Sequence, residues 1–338
     1  MNIGILGAGS WAIALSVLLR GRGHSVRMWE FNKDDALMLA ARREHPVKLP
    51  GIIIPKDVLI TNSIGEAIDG VEYVVCAVPA QTMRTTLKLL VSSTDRSILS
   101  KVEGWIIASK GIECKTLKRM SEVVLEEIPD LTEDKIVILS GPSHAEEVSR
   151  GIPTTVVAAS KSAALAIKIQ QAFSTETFRI YTNNDVSGVE LAASVKNVIA
   201  LAAGISDGLG LGDNTKGALL TRGMVEMIRL GRKMGAEEQT FYGLAGIGDL
   251  ITTCISRHSR NRKMGELIAS GLSLKEALGK MVMVAEGVET TKSVYQLAKN
   301  HGIEMPITVE VYKALFENES PKQAIKNLMM RQFRPERW

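Results

Sequence analysis

Through the first 180 residues, short runs of β-branched and aliphatic residues alternate with stretches of helical period, which predicts a parallel sheet covered by helices on both faces. The predicted strands are residues 3–6, 25–29, 73–78, 105–109, 137–140, 154–159 and 178–181. Each of the first five ends in a Gly or Pro turn or a polar residue, and the carboxyl ends of strands are where open α/β sheets bind ligands. From Asp185 onward, Ala-, Leu- and Met-rich helical windows replace the Val/Ile runs, and no further strand is expected. The chain therefore divides into an α/β unit, residues 1–184, and an all-helical unit, residues 185–338. Asn184 and Asp185 are cap candidates for the first helix of the second unit, expected to end near Gly204. Gly208, Gly210 and Gly212 then predict a loop, followed by a helix that stops at Gly235.

Composition narrows the function classes. A chain of 338 residues with 45% hydrophobic and 23% charged residues can fill two cores and lies far from the disordered regime. A net charge of +4 suits small phosphates better than nucleic acid, and the basic stretch from Arg257 to Lys263 reads as a solvated helix face. Cys76, Cys114 and Cys254 are odd in number and far apart, so they predict neither a disulfide framework nor a metal site and fit a reducing, cytoplasmic setting. The N-terminus lacks the features of a signal peptide. Residues 191–203, the most apolar long stretch, contain Lys196 and Asn197 and fall short of the roughly 20 residues of a membrane span.

Gly7-Ala8-Gly9-Ser10-Trp11-Ala12 follows the first predicted strand and opens a helix, the context that makes a glycine pattern a dinucleotide-binding signal. Gly7 permits the tight turn, Gly9 lets the backbone approach a pyrophosphate, and Ala12 lets the helix lie close to the strand. Glu30, at the end of the second strand, stands where a carboxylate binds the adenosine ribose hydroxyls, although an exposed acid also ends many strands. Lys110 follows the strand at 105–109 and is either a site cation or a surface charge. In Gly141-Pro142-Ser143-His144-Ala145-Glu146, Ser143 and Glu146 predict a capping box and a second anion-binding helix start, and His144 reads as structural.

In the helical unit, Lys196 and Asn197 interrupt an apolar helix whose neighbouring positions Ala192, Ala193 and Ala200 are small. Lys196 is either a reactive ammonium approached by another group or a lysine whose stem covers apolar surface while its head reaches water. Asp249, in Gly248-Asp249-Leu250 with Thr252 and Thr253 behind it, either orients a lysine or substrate hydroxyl or caps a helix. Arg260 offers the forked donor geometry that suits a phosphate.

Together these blocks, with Ser109-Lys110-Gly111, Val195-Lys196-Asn197, Ser259-Arg260-Asn261-Arg262, Glu286-Gly287 and Glu304-Met305-Pro306-Ile307-Thr308, stand in the order and spacing of the NAD(P)-dependent glycerol-3-phosphate dehydrogenases, which the chain resembles over about 300 residues. The resemblance implies a Rossmann-type domain followed by an all-α substrate domain, a homodimer, and reversible reduction of dihydroxyacetone phosphate to sn-glycerol 3-phosphate, a phospholipid precursor. By that likeness Ser10, Trp11, Ala145, Arg260, Val284 and Glu286 contact NAD or NADP, with Glu30 and Phe31 at the adenosine end beside Gly7 and Gly9. Lys110, Gly141, Ser143, Lys196, Asp249, Ser259, Arg260 and Asn261 surround the substrate, Lys110 touching both ligands and Lys196 exchanging the proton. Three positions depart from the family pattern. Ala12 replaces a usual Gly, Glu30-Phe31 stands where many members carry a His or Arg suited to a 2′-phosphate, and Lys48 replaces a common aromatic residue. Glu30 tilts the expected preference toward NAD. The competing readings are a hydroxy-acid or sugar-acid dehydrogenase of the same plan and a non-catalytic NAD-sensing protein, which would need the glycines but not Lys110, Lys196 and Asp249.

Overall fold

The computed structural model describes residues 1–336, so the last two residues of the predicted helical unit lie outside the described residues. Eight strands form one sheet in the order β3-β2-β1-β4-β5-β6-β7-β8. They are β1 Asn2–Leu6, β2 Ser25–Trp29, β3 Leu59–Thr61, β4 Tyr73–Cys76, β5 Gly104–Ile107, β6 Ile136–Ser140, β7 Thr154–Ala159 and β8 Phe178–Asn183. Side chains alternate between its faces: Ile3, Ile5, Tyr73, Val75 and Ile106 enter one core, while Leu6, Val74, Cys76, Trp105 and Ile107 enter the other. Two covered faces explain why these strands read as continuous apolar runs.

Two expectations about the sheet need correction. It is mixed, because β6 and β7 pair antiparallel while all other neighbours are parallel. The β6–β7 connection carries only a four-residue helix, Ala145–Val148, too short to return the chain across the sheet face. The strand β3 was not foreseen from the pattern, since its three residues at the sheet edge are too few to show a period.

The third core is the helical unit, wrapped around Val186–Gly208. Asp185 caps this helix by accepting the Gly188 N–H at 2.8 Å, as expected. The helix continues past Gly204 to Gly208, because Gly204 serves a helix crossing and not a stop. A Cβ there would sit 1.9 Å from the Arg262 carbonyl oxygen, and one on Gly265 of the crossing helix Arg260–Ala269 would sit 2.2 Å from that of Leu201. This close approach brings the basic segment against the Lys196 helix. At 23 residues the central helix is long and apolar enough to cross a membrane, contrary to the sequence-based length, but 94% of its apolar window is buried inside the fold.

Polar contacts join the units. Glu190 of the central helix accepts from Arg119 at 2.9 Å and from the Ser121 N–H at 2.8 Å, both on the α/β side. Within the helical unit, buried Glu226 accepts the N–H groups of Ile307 and Thr308 and so caps the helix Pro306–Phe316. Glu226→Ala strands those donors and should cost about 2 kcal/mol of stability, read as a lower midpoint in urea at unchanged slope.

Candidate active site

A cleft of about 590 Å³ runs along the carboxyl ends of the central strands and into the helical unit. Of the residues expected to contact cofactor or substrate, all but Gly141 line it. At one end the chain leaves β1 through Gly7, whose φ of +111° suits glycine and where a Cβ would sit 3.0 Å from the Ala77 carbonyl oxygen. The helix Ser10–Gly21 then begins with Gly9 at its N-cap, no side-chain cap and no acid in its first turn. A Cβ on Gly9 would meet nothing within 4 Å. Uncapped N–H groups facing open space form a cradle for an anion, and a dinucleotide's pyrophosphate fits it. Ala12 is fully buried against the sheet, as its small size predicted. Glu30, Phe31 and Lys48 mark the far end of this arm, with Glu30 buried and Phe31 exposed.

The other end is built around one buried carboxylate. Asp249 is the first residue of the helix Asp249–Ile255, and its side chain does not cap that helix. Oδ1 accepts from Lys196 Nζ at 2.9 Å and from the Thr253 hydroxyl at 3.2 Å, while Oδ2 accepts from Lys110 Nζ at 2.8 Å. Lys196 also donates to Thr253 Oγ1 at 2.6 Å, and Lys110 to the Gly141 carbonyl at 3.0 Å. Gly141 thus joins the site through its carbonyl. Lys196 is only 4% exposed and lines the inner end of the cleft, so its head does not reach out to the protein's outer surface.

The electrostatics follow from this crowding. Burial pushes Lys196 down to about 8 against the opposing pull of Asp249, and Lys110 lowers it further. Burial alone would raise Asp249, but the two ammonium groups outweigh it and hold the carboxyl below its usual value. Lys196 is therefore charged below about pH 8 and neutral above it, within reach of both roles of an acid–base group.

The surrounding polar groups are held in place. Ser259 caps the helix Arg260–Ala269 by accepting the Arg262 N–H at 3.2 Å. Asn261 donates to Asn197 Oδ1 and accepts from the Gly287 N–H, each at 2.9 Å, which leaves one Nδ2 hydrogen for another acceptor. Arg260 projects into the cleft and makes no ion pair with a described residue. Glu286 accepts the Ala80 N–H at 3.2 Å, and burial raises it to about 7 despite Arg260 nearby. Of the basic stretch, Arg262 and Lys263 both pair with Glu266, and Arg262 also binds Asp207.

The predicted Ser143–Glu146 capping box is absent. Ser143 lies before the helix, donates to the Gly141 carbonyl at 2.9 Å, and leaves His144 at the N-cap position without a side-chain cap. The Gly141-Pro142 turn, with φ of +144° at Gly141, places the helix start one residue late for the box. His144 itself lines the cleft, and burial drives its imidazole down to about 4, so it is neutral at physiological pH. Thr253 was the main residue missed as a site member. Its position four residues after Asp249, on the same helix face, was the available signal.

Comparison with known proteins identifies the family. Family models for the N-terminus and the C-terminus of NAD-dependent glycerol-3-phosphate dehydrogenase match residues 2–166 and 185–326. The chain is 51% identical over 334 residues to glycerol-3-phosphate dehydrogenase [NAD(P)+] of Chlorobium phaeobacteroides, covering 98% of each chain. It is 44% identical to that of Fusobacterium nucleatum, covering 98% of this chain and 97% of the relative. The crystal structure of glycerol-3-phosphate dehydrogenase from Coxiella burnetii superposes with a TM-score of 0.92 at 36% identity, over 98% of this chain and 99% of that one. The fold is thus shared along nearly the whole chain, and the chain belongs to the NAD-dependent glycerol-3-phosphate dehydrogenase family.

Proposed function

We propose that the chain reduces dihydroxyacetone phosphate to sn-glycerol 3-phosphate reversibly, using NADH or NADPH, and that Lys196 exchanges the proton. The observation that carries this reading is the pairing of two lysines on one buried carboxylate beside a glycine turn built for a pyrophosphate. The bound nicotinamide would supply or take the hydride. Lys196 donates its ammonium proton to the developing alkoxide during reduction and takes it back, as the neutral amine, during oxidation. Lys110, held by Asp249 and the Gly141 carbonyl, adds a second positive charge beside that oxygen. Asp249 keeps both cations in place, and Thr253 fixes the direction of the Lys196 amine.

Arg260, Asn261 and Ser259 form the phosphate end, with the Arg260 fork and the remaining Asn261 hydrogen as donors. Ser10, Trp11, Ala145, Val284 and Glu286 line the cofactor arm with Gly7 and Gly9, and Ser143 steadies the Gly141 turn. We take the domain boundary to fall between residues 184 and 185, a reading supported by the end of the last strand at Asn183 and the start of the central helix at Val186. By family likeness the enzyme is a cytoplasmic homodimer that serves phospholipid synthesis, and light scattering of the purified protein tests the dimer.

Steady-state oxidation of NADH with dihydroxyacetone phosphate tests the reaction directly, against hydroxy acids as controls. Arg260→Ala should lose about 2–4 kcal/mol in kcat/KM, mostly through KM for the phosphorylated substrate. An unchanged kcat/KM would remove Arg260 from the phosphate site.

A further inference from the structure

The paired groups of the site come from both units, since Lys110 follows β5 in the α/β unit while Lys196, Asp249 and Thr253 belong to the helical one. One buried carboxylate outside the cleft is placed to set their distance. Glu190 lies on the central helix Val186–Gly208, six residues before Lys196 and about 9 Å from it along the axis. It is 6% exposed, and its three donors all come from the other unit: Arg119 Nη1 at 2.9 Å, the Ser121 N–H at 2.8 Å and the Ser121 hydroxyl. Ser121 is the second residue of the helix Met120–Glu127, so its N–H has no partner within that helix, and Glu190 caps the helix from across the boundary.

That helix begins where the Lys110 segment ends. From Lys110 the chain runs through Gly111 to a bridge between Ile112 and Arg119, inside which the Glu113 N–H donates to the Lys118 carbonyl at 2.9 Å. Because Ile112 and Arg119 are paired, a hold on Arg119 is also a hold on the residue two places beyond Lys110. The Ile112 carbonyl is held in turn by Ser293 Oγ of the helical unit at 3.0 Å and by Gln81 Nε2 at 2.8 Å. Burial pushes the Glu190 carboxyl up from its ordinary value, while Arg119 and both Ser121 donors pull it down and Glu122, 3.3 Å from Arg119 Nε, opposes them. Taking a carboxylate and a guanidinium out of water is costly, and apolar packing would join two units at less cost. What a buried pair adds is a single defined register.

We propose that Glu190 is a positioning residue for the reaction: by capping the helix Met120–Glu127 and pairing with Arg119, it fixes where Lys110 stands relative to Lys196 and Asp249. The proposal rests on the dehydrogenase reading and adds to it a residue outside the cleft. With this tie cut, the Lys110 segment relaxes and its ammonium withdraws from Asp249 Oδ2. Lys196 then loses a neighbouring positive charge and keeps Asp249 to itself, and both changes favour its protonated form. The other titratable and charged groups near Lys196 are fixed by other elements: Cys254 by the helix Asp249–Ile255, His144 by the start of the helix Ala145–Val148, and Arg260 and Glu286 by two further helices that pack on the central one. Lys196 therefore stays charged to higher pH, and the reductive rate falls later.

The test compares the native full chain with Glu190→Gln, which keeps the side-chain shape and drops the charge, and with Arg119→Met and Arg119→Lys on the other side of the pair. Glu190→Gln should lower kcat for dihydroxyacetone phosphate reduction by about tenfold, leave the NADH Kd within about threefold, and move the midpoint of the reductive limb up by about half a pH unit or more. Arg119→Met should move the midpoint the same way, and Arg119→Lys, which keeps a cation for the single contact, should restore most of the native value. Acetylation of Lys110 by acetic anhydride, read by mass spectrometry against Lys168 of the exposed Glu103 pair, should run several-fold faster in Glu190→Gln. An unmoved midpoint or a native Lys110 labelling ratio makes Glu190 purely structural and overturns the proposal, and if Glu190→Gln does not fold, Arg119→Met decides by the same two readings. The labelling ratio needs no turnover, so it decides this point even if the native protein fails to reduce dihydroxyacetone phosphate, a result that would sink the reaction reading instead.

Discussion

Lys196→Met is expected to lose about three to four orders of magnitude in kcat in both directions while keeping its fold and its NADH affinity. The size follows from removing both a general acid and the charge nearest the developing alkoxide, two effects that act on the same atom. The methionine stem fills the apolar path between Ala192, Ala193 and Ala200, so the core is preserved and the loss reports on chemistry. Asp249 and Lys110 remain paired in the variant, which keeps the local charge balanced. Circular dichroism and NADH titration check the fold and the cofactor arm, and stopped-flow single turnovers check the chemical step. A kcat within tenfold of native would make Lys196 structural and require another proton donor.

Asp249→Asn is expected to produce the second largest effect, a fall of about two to three orders of magnitude in kcat, with a distinctive shift in pH dependence. Asp249 opposes the burial that lowers Lys196. Removing its charge leaves two ammonium groups beside each other in a buried site, and Lys196, the more deeply buried, gives up its proton first. The reductive limb should therefore begin to fall at lower pH than in the native enzyme, because less of Lys196 carries a proton to donate. A lower kcat with an unmoved pH midpoint would mean that Asp249 positions substrate but does not hold the lysine charged.

Both expectations depend on contacts far apart in the chain, and this separates what was legible in the sequence from what was not. The strand, the glycine turn, the helix and Glu30 lie within one local unit, so the anion cradle could be read from spacing alone. Lys196 announced itself by its charge in an apolar helix. Its partner did not, since Asp249 lies 53 residues away and reaches Lys110 across 139 residues. Local chemistry left Asp249 balanced between cap and site, and only the packing of the two helices decided it. The mistaken capping box at Ser143 has the same origin, because the serine spacing was right but the Gly141-Pro142 turn delays the helix. The antiparallel β7 escaped because alternation patterns carry no direction, and β3 because three edge residues show no period. Lys48 was visible as a departure from the family pattern, but its pairing with Glu30 needed the fold.

The central claim is that a buried lysine, poised by burial and one carboxylate, exchanges the proton during reduction of a phosphorylated ketone. The most direct measurement is kcat/KM for dihydroxyacetone phosphate with NADH across pH, which reports the ionisation of the free enzyme. Lys196 is charged below its value of about 8, so the reductive rate should be level at lower pH and fall as pH rises through about 8, with glycerol 3-phosphate oxidation rising over the same interval. A profile that stays flat through that interval in both directions, or an absence of turnover with this substrate, would contradict the account.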